Sequence, residues 1–116
     1  MKVISLPLKE KTGVQKVACF PTALKGRVVV GIANFQAGQQ IPEVGESLHS
    51  SDELAFLLRG KVRIHTPEGT YVVGAGEGSW VPMGTPHRAE ILEDTSLIWV
   101  WIGKKEEGRG EEEGDG

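Results

Sequence analysis

Apolar residues run through this chain in short blocks, and turn residues interrupt them about every ten positions. "GRVVVGIANFQ" (Gly26–Gln36) is rich in β-branched side chains and too short for a persuasive helix, so it reads as a strand. "AGQQIPEVGES" follows as a loop. "DELAFLLRGKVRIHT" holds two apolar runs broken at Arg59–Gly60, which predicts strands joined by a tight turn or kink. "PEG" (Pro67–Gly69) is a turn signal, and "TYVVGAGEG" is a strand that runs into glycines. "EDT" (Glu93–Thr95) predicts another turn before a last strand, "SLIWVWI" (Ser96–Ile102). "LAFLLR" would make little more than a turn of helix, and no capped pattern extends it. Strands at this spacing predict an all-β sandwich or barrel, with no solenoid repeat.

The last strand is apolar on both faces. Leu97, Trp99 and Trp101 share one parity, and Ile98, Val100 and Ile102 share the other. One face would line the interior. The other needs a second sheet or a second subunit to cover it, which makes a homodimer the expected assembly.

A chain of 116 residues has room for one core. Residues 1–102 carry 10 basic and 10 acidic side chains, and residues 103–116 carry 3 and 6, so the net charge of -3 arises in the tail. A neutral body offers no electrostatic footprint for nucleic acid. No apolar run approaches the roughly 20 residues that span a bilayer. The N-terminal apolar patch is too short for a secretion signal, and Cys19, the single cysteine, excludes an intrachain disulfide. These features predict a cytoplasmic protein. Residues 1–25 are expected to form a strand or arm packed on the barrel and residues 26–102 the barrel. Residues 103–116 read as a disordered Gly/Glu-rich acidic tail, because a segment with no apolar side chain cannot offset its ordering entropy.

The chain has three histidines. His49 and Glu53 stand four residues apart in "HSSDE". In a strand, Glu53 would share a face with Ala55 and Leu57 and point inward. A buried carboxylate must be paired, protonated or bound to a metal. His87 heads another strand, with Ala89 and Ile91 on its side. His49, Glu53 and His87 together suit a divalent transition metal such as Fe, Zn, Mn or Ni, with positions left for water or substrate. Other candidates read as ordinary. His65 is a strand-end histidine, Cys19 a buried inert thiol, Asp52 a surface or turn residue, and Arg59 is exposed.

"GEGSWVPMGTPH" (Gly76–His87) changes the weight of that triad. It is a glycine, five residues, Pro82-Met83-Gly84, two residues, and His87. Upstream, Glu53 is followed by six residues and Gly60. The chain resembles the cupin superfamily over roughly Gly26 to Ile102, specifically its small single-domain members. The resemblance implies a double-stranded β-helix, or jelly-roll barrel. It also implies His49, Glu53 and His87 as metal ligands. Glycines permit sharp reversals at barrel corners, and Pro82 stiffens the turn that aims His87. Two positions depart from the family pattern. Ser47 stands where the first histidine of a His-x-His pair is usual, and Ile91 stands where an asparagine is often found. The expected pocket is Ser47, Ala55, Leu57, Trp80, Ala89, Ile91 and Trp99. The resemblance implies a metal-dependent enzyme on a small molecule, of oxygenase, isomerase or lyase type. The alternative is a non-catalytic ligand-binding or sensing barrel that has lost its metal chemistry.

Overall fold

The computed structural model describes Ile4, Leu6, Pro7, residues 12–21 and residues 26–104. Residues 1–3, 5, 8–11 and 22–25 of the N-terminal arm and residues 105–116 of the predicted tail lie outside the described residues. The elements are β1 (Gly13–Pro21), β2 (Gly26–Phe35), β3 (Gln40–Ile41), β4 (Asp52–Thr66), β5 (Gly69–Gly74), β6 (Gly78–Val81) and β7 (Arg88–Lys104). All their pairings are antiparallel. β1 pairs with β2, so the N-terminal segment adds a strand to the sheet. β7 continues two residues past the predicted barrel boundary, with Gly103 and Lys104 opposite Arg27 and Gly26.

Two strands do most of the building. β4 spans 15 residues and β7 spans 17. Residues 52–57 of β4 pair with residues 97–102 of β7, and residues 61–65 pair with 88–93. The register shifts between these halves, at Leu57, Arg59, Lys61 and Val62. Such bulges bend a strand and raise its twist. Each long strand therefore serves two sheets. One holds β1, β2, the second half of β7, the first half of β4, and β6. The other holds β3, the first half of β7, the second half of β4, and β5. Their inner faces share one core, in which Val62, Val73 and Ile91 meet Val29, Ala33, Leu57, Trp99 and Trp101. This is the predicted jelly roll.

Gly60 makes the bend possible. Its φ is +98°, and a Cβ there would lie 2.5 Å from the Asp94 carbonyl oxygen and 2.6 Å from Thr95 Cα. Thr95 is fully buried. Its hydroxyl donates to the Glu93 carbonyl at 2.7 Å and accepts the Lys61 N–H at 3.2 Å. The sequence expectation of a turn at Glu93–Thr95 is therefore corrected: these residues stay inside β7, where Asp94 and Thr95 together oppose the single residue Gly60 as a bulge. Cys19 is also corrected, because it is exposed on edge strand β1.

Candidate metal centre

Glu53 is the second residue of β4, between Val81 of β6 and Trp101 of β7. Strand alternation turns it inward with Ala55 and Leu57. His87 lies immediately before β7, and its backbone is bridged to Ser47 in both directions, at 2.7 and 3.0 Å. Gly76 (φ +86°) and Gly84 (φ +81°) adopt the left-handed conformation that the turn residues predict. The Thr85 N–H closes a turn on the Pro82 carbonyl, and the Gly84 N–H reaches the His49 carbonyl. Asp52 has a task the sequence did not reveal. Its carboxylate accepts the Met83 N–H at 2.8 Å and ties this loop to the start of β4.

These contacts bring the three predicted ligands together. Glu53 Oε1 lies 3.2 Å from His87 Nε2 and 3.7 Å from His49 Nε2. One ligand atom from each residue falls within 4.8 Å of the others. All three side chains are buried, and Glu53 is only 7% exposed. Trp101 packs its ring against His49, with centroids 4.7 Å apart, which restricts the imidazole. His87 Nδ1 contacts the Thr85 carbonyl at 2.9 Å. As the donor, Nδ1–H leaves the Nε2 lone pair facing Glu53 in the neutral ring.

The donor set fits a cation. Two imidazole nitrogens and a carboxylate oxygen, all on buried side chains, lie within 4.8 Å of one another. Two imidazoles and a carboxylate converging on one buried point are the donor types a divalent transition metal takes. Proton affinity registers the same demand. Burial pulls His87 down, but hydrogen bonding to Glu53, the Thr85 carbonyl and the charges of Glu53 and Glu46 outweigh it, so its pKa rises above the ordinary 6.5. Without a metal, a proton on His87 neutralises the buried carboxylate.

A cavity of about 70 Å³ opens beside Glu53 and His87. One ordered water needs ~10–15 Å³, so it holds a few waters or one end of a small ligand. Ala55, Leu57, Ala89, Ile91 and Trp99 of the expected pocket residues line it. Phe35, Ile41, Val62, Ile64 and Leu97 also line it and were missed. The alternation of β2 was the available signal for Phe35, which shares parity with Val29 and Ala33. Ser47 is buried, and its hydroxyl has no hydrogen-bond partner. Trp80 does not line this cavity. It is 63% exposed, because cross-strand pairing sets Ser79 and Val81 inward and leaves Trp80 on the outer side. His65 lies apart from the triad. It contacts Thr70 Oγ1 at 3.0 Å and Glu90 Oε1 at 2.9 Å.

The sequence pattern of the family described as "Cupin domain" matches residues 31–103. Among curated proteins, none matches this chain closely enough to count as a relative. Several solved structures share the fold. A cupin superfamily protein from Desulfitobacterium hafniense is 16% identical, with a TM-score of 0.64 over 85% of this chain and 90% of its own. KdgF from a Halomonas species is 20% identical, with a TM-score of 0.61 over 80% of this chain and 79% of its own. The DMSP lyase DddQ from Ruegeria pomeroyi is 18% identical, with a TM-score of 0.59 over 72% of this chain and 41% of its own. At these identities the likeness shows the fold alone. Among the described residues, no helix is long and apolar enough to cross a membrane.

Proposed function

This chain belongs to the cupin family, and we propose that it holds one divalent transition metal on His49, Glu53 and His87 and uses it on a small molecule. The observation that carries this reading is the convergence of two buried imidazoles and a buried carboxylate, with one ligand atom from each within 4.8 Å of the others. The chemistry a metal supplies in such a site is Lewis-acid polarisation of an oxygen or, with iron, oxygen chemistry. The chain's own residues orient and exclude. Trp101 and the Thr85 carbonyl hold the two imidazoles, while Leu57, Ile91 and Trp99 keep the cavity apolar. That a DMSP lyase shares the fold supports an enzyme. Ser47 supports the second reading, a ligand-binding barrel without chemistry, because a serine hydroxyl is a poor transition-metal ligand.

Metal content separates the two. Protein purified without an affinity tag is expected to carry close to one transition-metal ion per chain near neutral pH. Protons compete for Nε2, and the His87 pKa is raised. Metal release on acidification should therefore begin at a higher pH than an ordinary histidine site would show. Elemental analysis across a pH series reads both. Protein that stays metal-free after reconstitution with Fe, Zn, Mn and Ni would leave only the ligand-binding reading.

We also propose that the chain is a homodimer through the outer face of the β2-containing sheet. The two outer faces differ in chemistry. On the other sheet, Glu90 pairs with His65, Arg63 and Arg88, and Lys61 pairs with Glu93. Those charges satisfy one another in water. On the β2 side, register aligns Val30, Val100 and Leu54 in one row and Ile32, Ile98 and Phe56 in the next. Both rows are wholly apolar, Phe56 is 46% exposed and neighbouring Ile102 is 42% exposed. An uncharged strip on a two-fold axis is complementary to itself, so a second copy is the occupant. Sedimentation equilibrium is expected to give twice the 12.5 kDa chain mass. Phe56→Lys with Ile102→Lys should give the single mass. A wild-type monomer at micromolar concentration would overturn the assembly.

This assembly and the free thiol of exposed Cys19 suit a reducing compartment, so the proposed location is the cytoplasm.

A further inference from the structure

A second concavity lies away from the triad. A cleft of about 610 Å³ opens between β5, an edge of one sheet, and β6, an edge of the other. This volume lies within the ~300–1,000 Å³ usual for small-molecule sites. Ile64, Ser79 and Val81 line both the cleft and the cavity beside Glu53 and His87. Those three residues border both spaces, so a neck joining the two would run past them.

The cleft walls specify a ligand. Tyr71 is 50% exposed and Trp80 is 63% exposed, and both line it. Pro67, Pro82 and Pro86 add rigid apolar surface, and Thr66, Ser79 and Thr85 add hydroxyls. Among the described residues, its charged lining residues are Glu68 and Glu77, and no Lys, Arg or His lines it. One oxygen of Glu77 is already used by the Gly74 N–H at 2.8 Å. Exposed aromatic faces attract flat rings. Two carboxylates with no cation repel an anion.

We propose that this cleft binds a small aromatic ring compound without negative charge, and that one end of it passes the Ser79 neck to meet Glu53 and His87. The meeting with the triad rests on the reading of that site as the reactive centre; binding in the cleft does not.

The test uses p-cresol, with benzoate as the anionic ring, titrated into the full-length protein by ligand-observed NMR and calorimetry. p-Cresol is expected to bind at least tenfold more tightly than benzoate. Tyr71→Ala and Trp80→Ala each alter an exposed side chain and should weaken p-cresol at least fivefold. Lys61→Ala, on the charged outer face, should change nothing. p-Cresol should shift the His87 imidazole resonances, and Ser79→Phe should abolish that shift while binding in the cleft persists. Equal binding of benzoate, unchanged binding in both aromatic variants, or no p-cresol binding would overturn the site. An unmoved His87 resonance on binding would overturn the connection to the triad. Metal content of the same samples keeps the two readings apart. p-Cresol binding in protein that takes up no metal removes only the metal, and metal without p-cresol binding removes only this cleft.

Discussion

Replacing His87 with alanine is expected to lower affinity for a divalent transition metal by ~100-fold or more, about 2.8 kcal/mol. The variant leaves one imidazole and one carboxylate, too few donors for a tight four-coordinate site. It should still fold, because His87 joins Ser47 through its backbone and that bridge does not need the imidazole. Competition with a chromogenic chelator measures the loss, and circular dichroism checks the fold. Glu53→Gln is the companion variant. It removes the charge that holds the His87 pKa up while the burial that pulls it down remains. The His87 imidazole should then titrate at lower pH in metal-free protein, which NMR can follow. A His87→Ala protein with wild-type metal affinity would place the ligands elsewhere and sink the site.

The largest expected effect on stability lies far from the metal ligands, at Gly60. Gly60→Ala is expected to cost ~2–5 kcal/mol. A left-handed residue with a side chain costs ~1–2 kcal/mol, and overpacking a tight site adds ~1–3. The new Cβ would meet the Asp94 carbonyl at 2.5 Å and Thr95 Cα at 2.6 Å, both backbone atoms of the long strand β7. Neither can move without breaking the bend that divides the two sheets. Gly84→Ala is the control. Its φ is +81°, but nothing lies within 4 Å of the added Cβ. It should cost only the conformational part, ~1–2 kcal/mol. Urea denaturation of both variants decides the matter. A Gly60→Ala cost no larger than that of Gly84→Ala would show that the notch at Thr95 is not tight. Domains of this size have ~5–15 kcal/mol in total, so Gly60→Ala threatens the fold itself.

Both predictions draw on features that differ in how far a linear reading reaches them. The turn at Gly76–His87 was legible because glycine and proline carry backbone conformation in their own covalent structure. The inward aim of Glu53 was legible because strand alternation is local, so Ala55 and Leu57 identified its face. His49, Glu53 and His87 could be singled out along the chain once the cupin resemblance of the Gly76–His87 pattern was added to residue type and spacing. Trp80 could not be placed the same way. Its face depends on the partner across the sheet, and Leu54 and Glu53 were assigned opposite Trp80 and Val81 only by the fold.

The residues 93–95 show the same limit from another side. "EDT" is rich in turn formers, and its local preference was overridden by Thr95 packing into the notch at Gly60. Asp52 read as a surface residue until folding brought the Met83 N–H to it across 31 positions. Both outcomes rest on contacts between distant segments, which no window of neighbouring residues contains. By itself, the sequence determined the all-β class, the conformation of the turn before His87, and the residue types available to hold a metal. Those are properties of single residues and their near neighbours. Only the tertiary structure decided the register, and with it the distances within the triad, the outer position of Trp80, and the cleft between β5 and β6. Register is a relation between strands far apart in the chain, set by how their apolar faces close on one core.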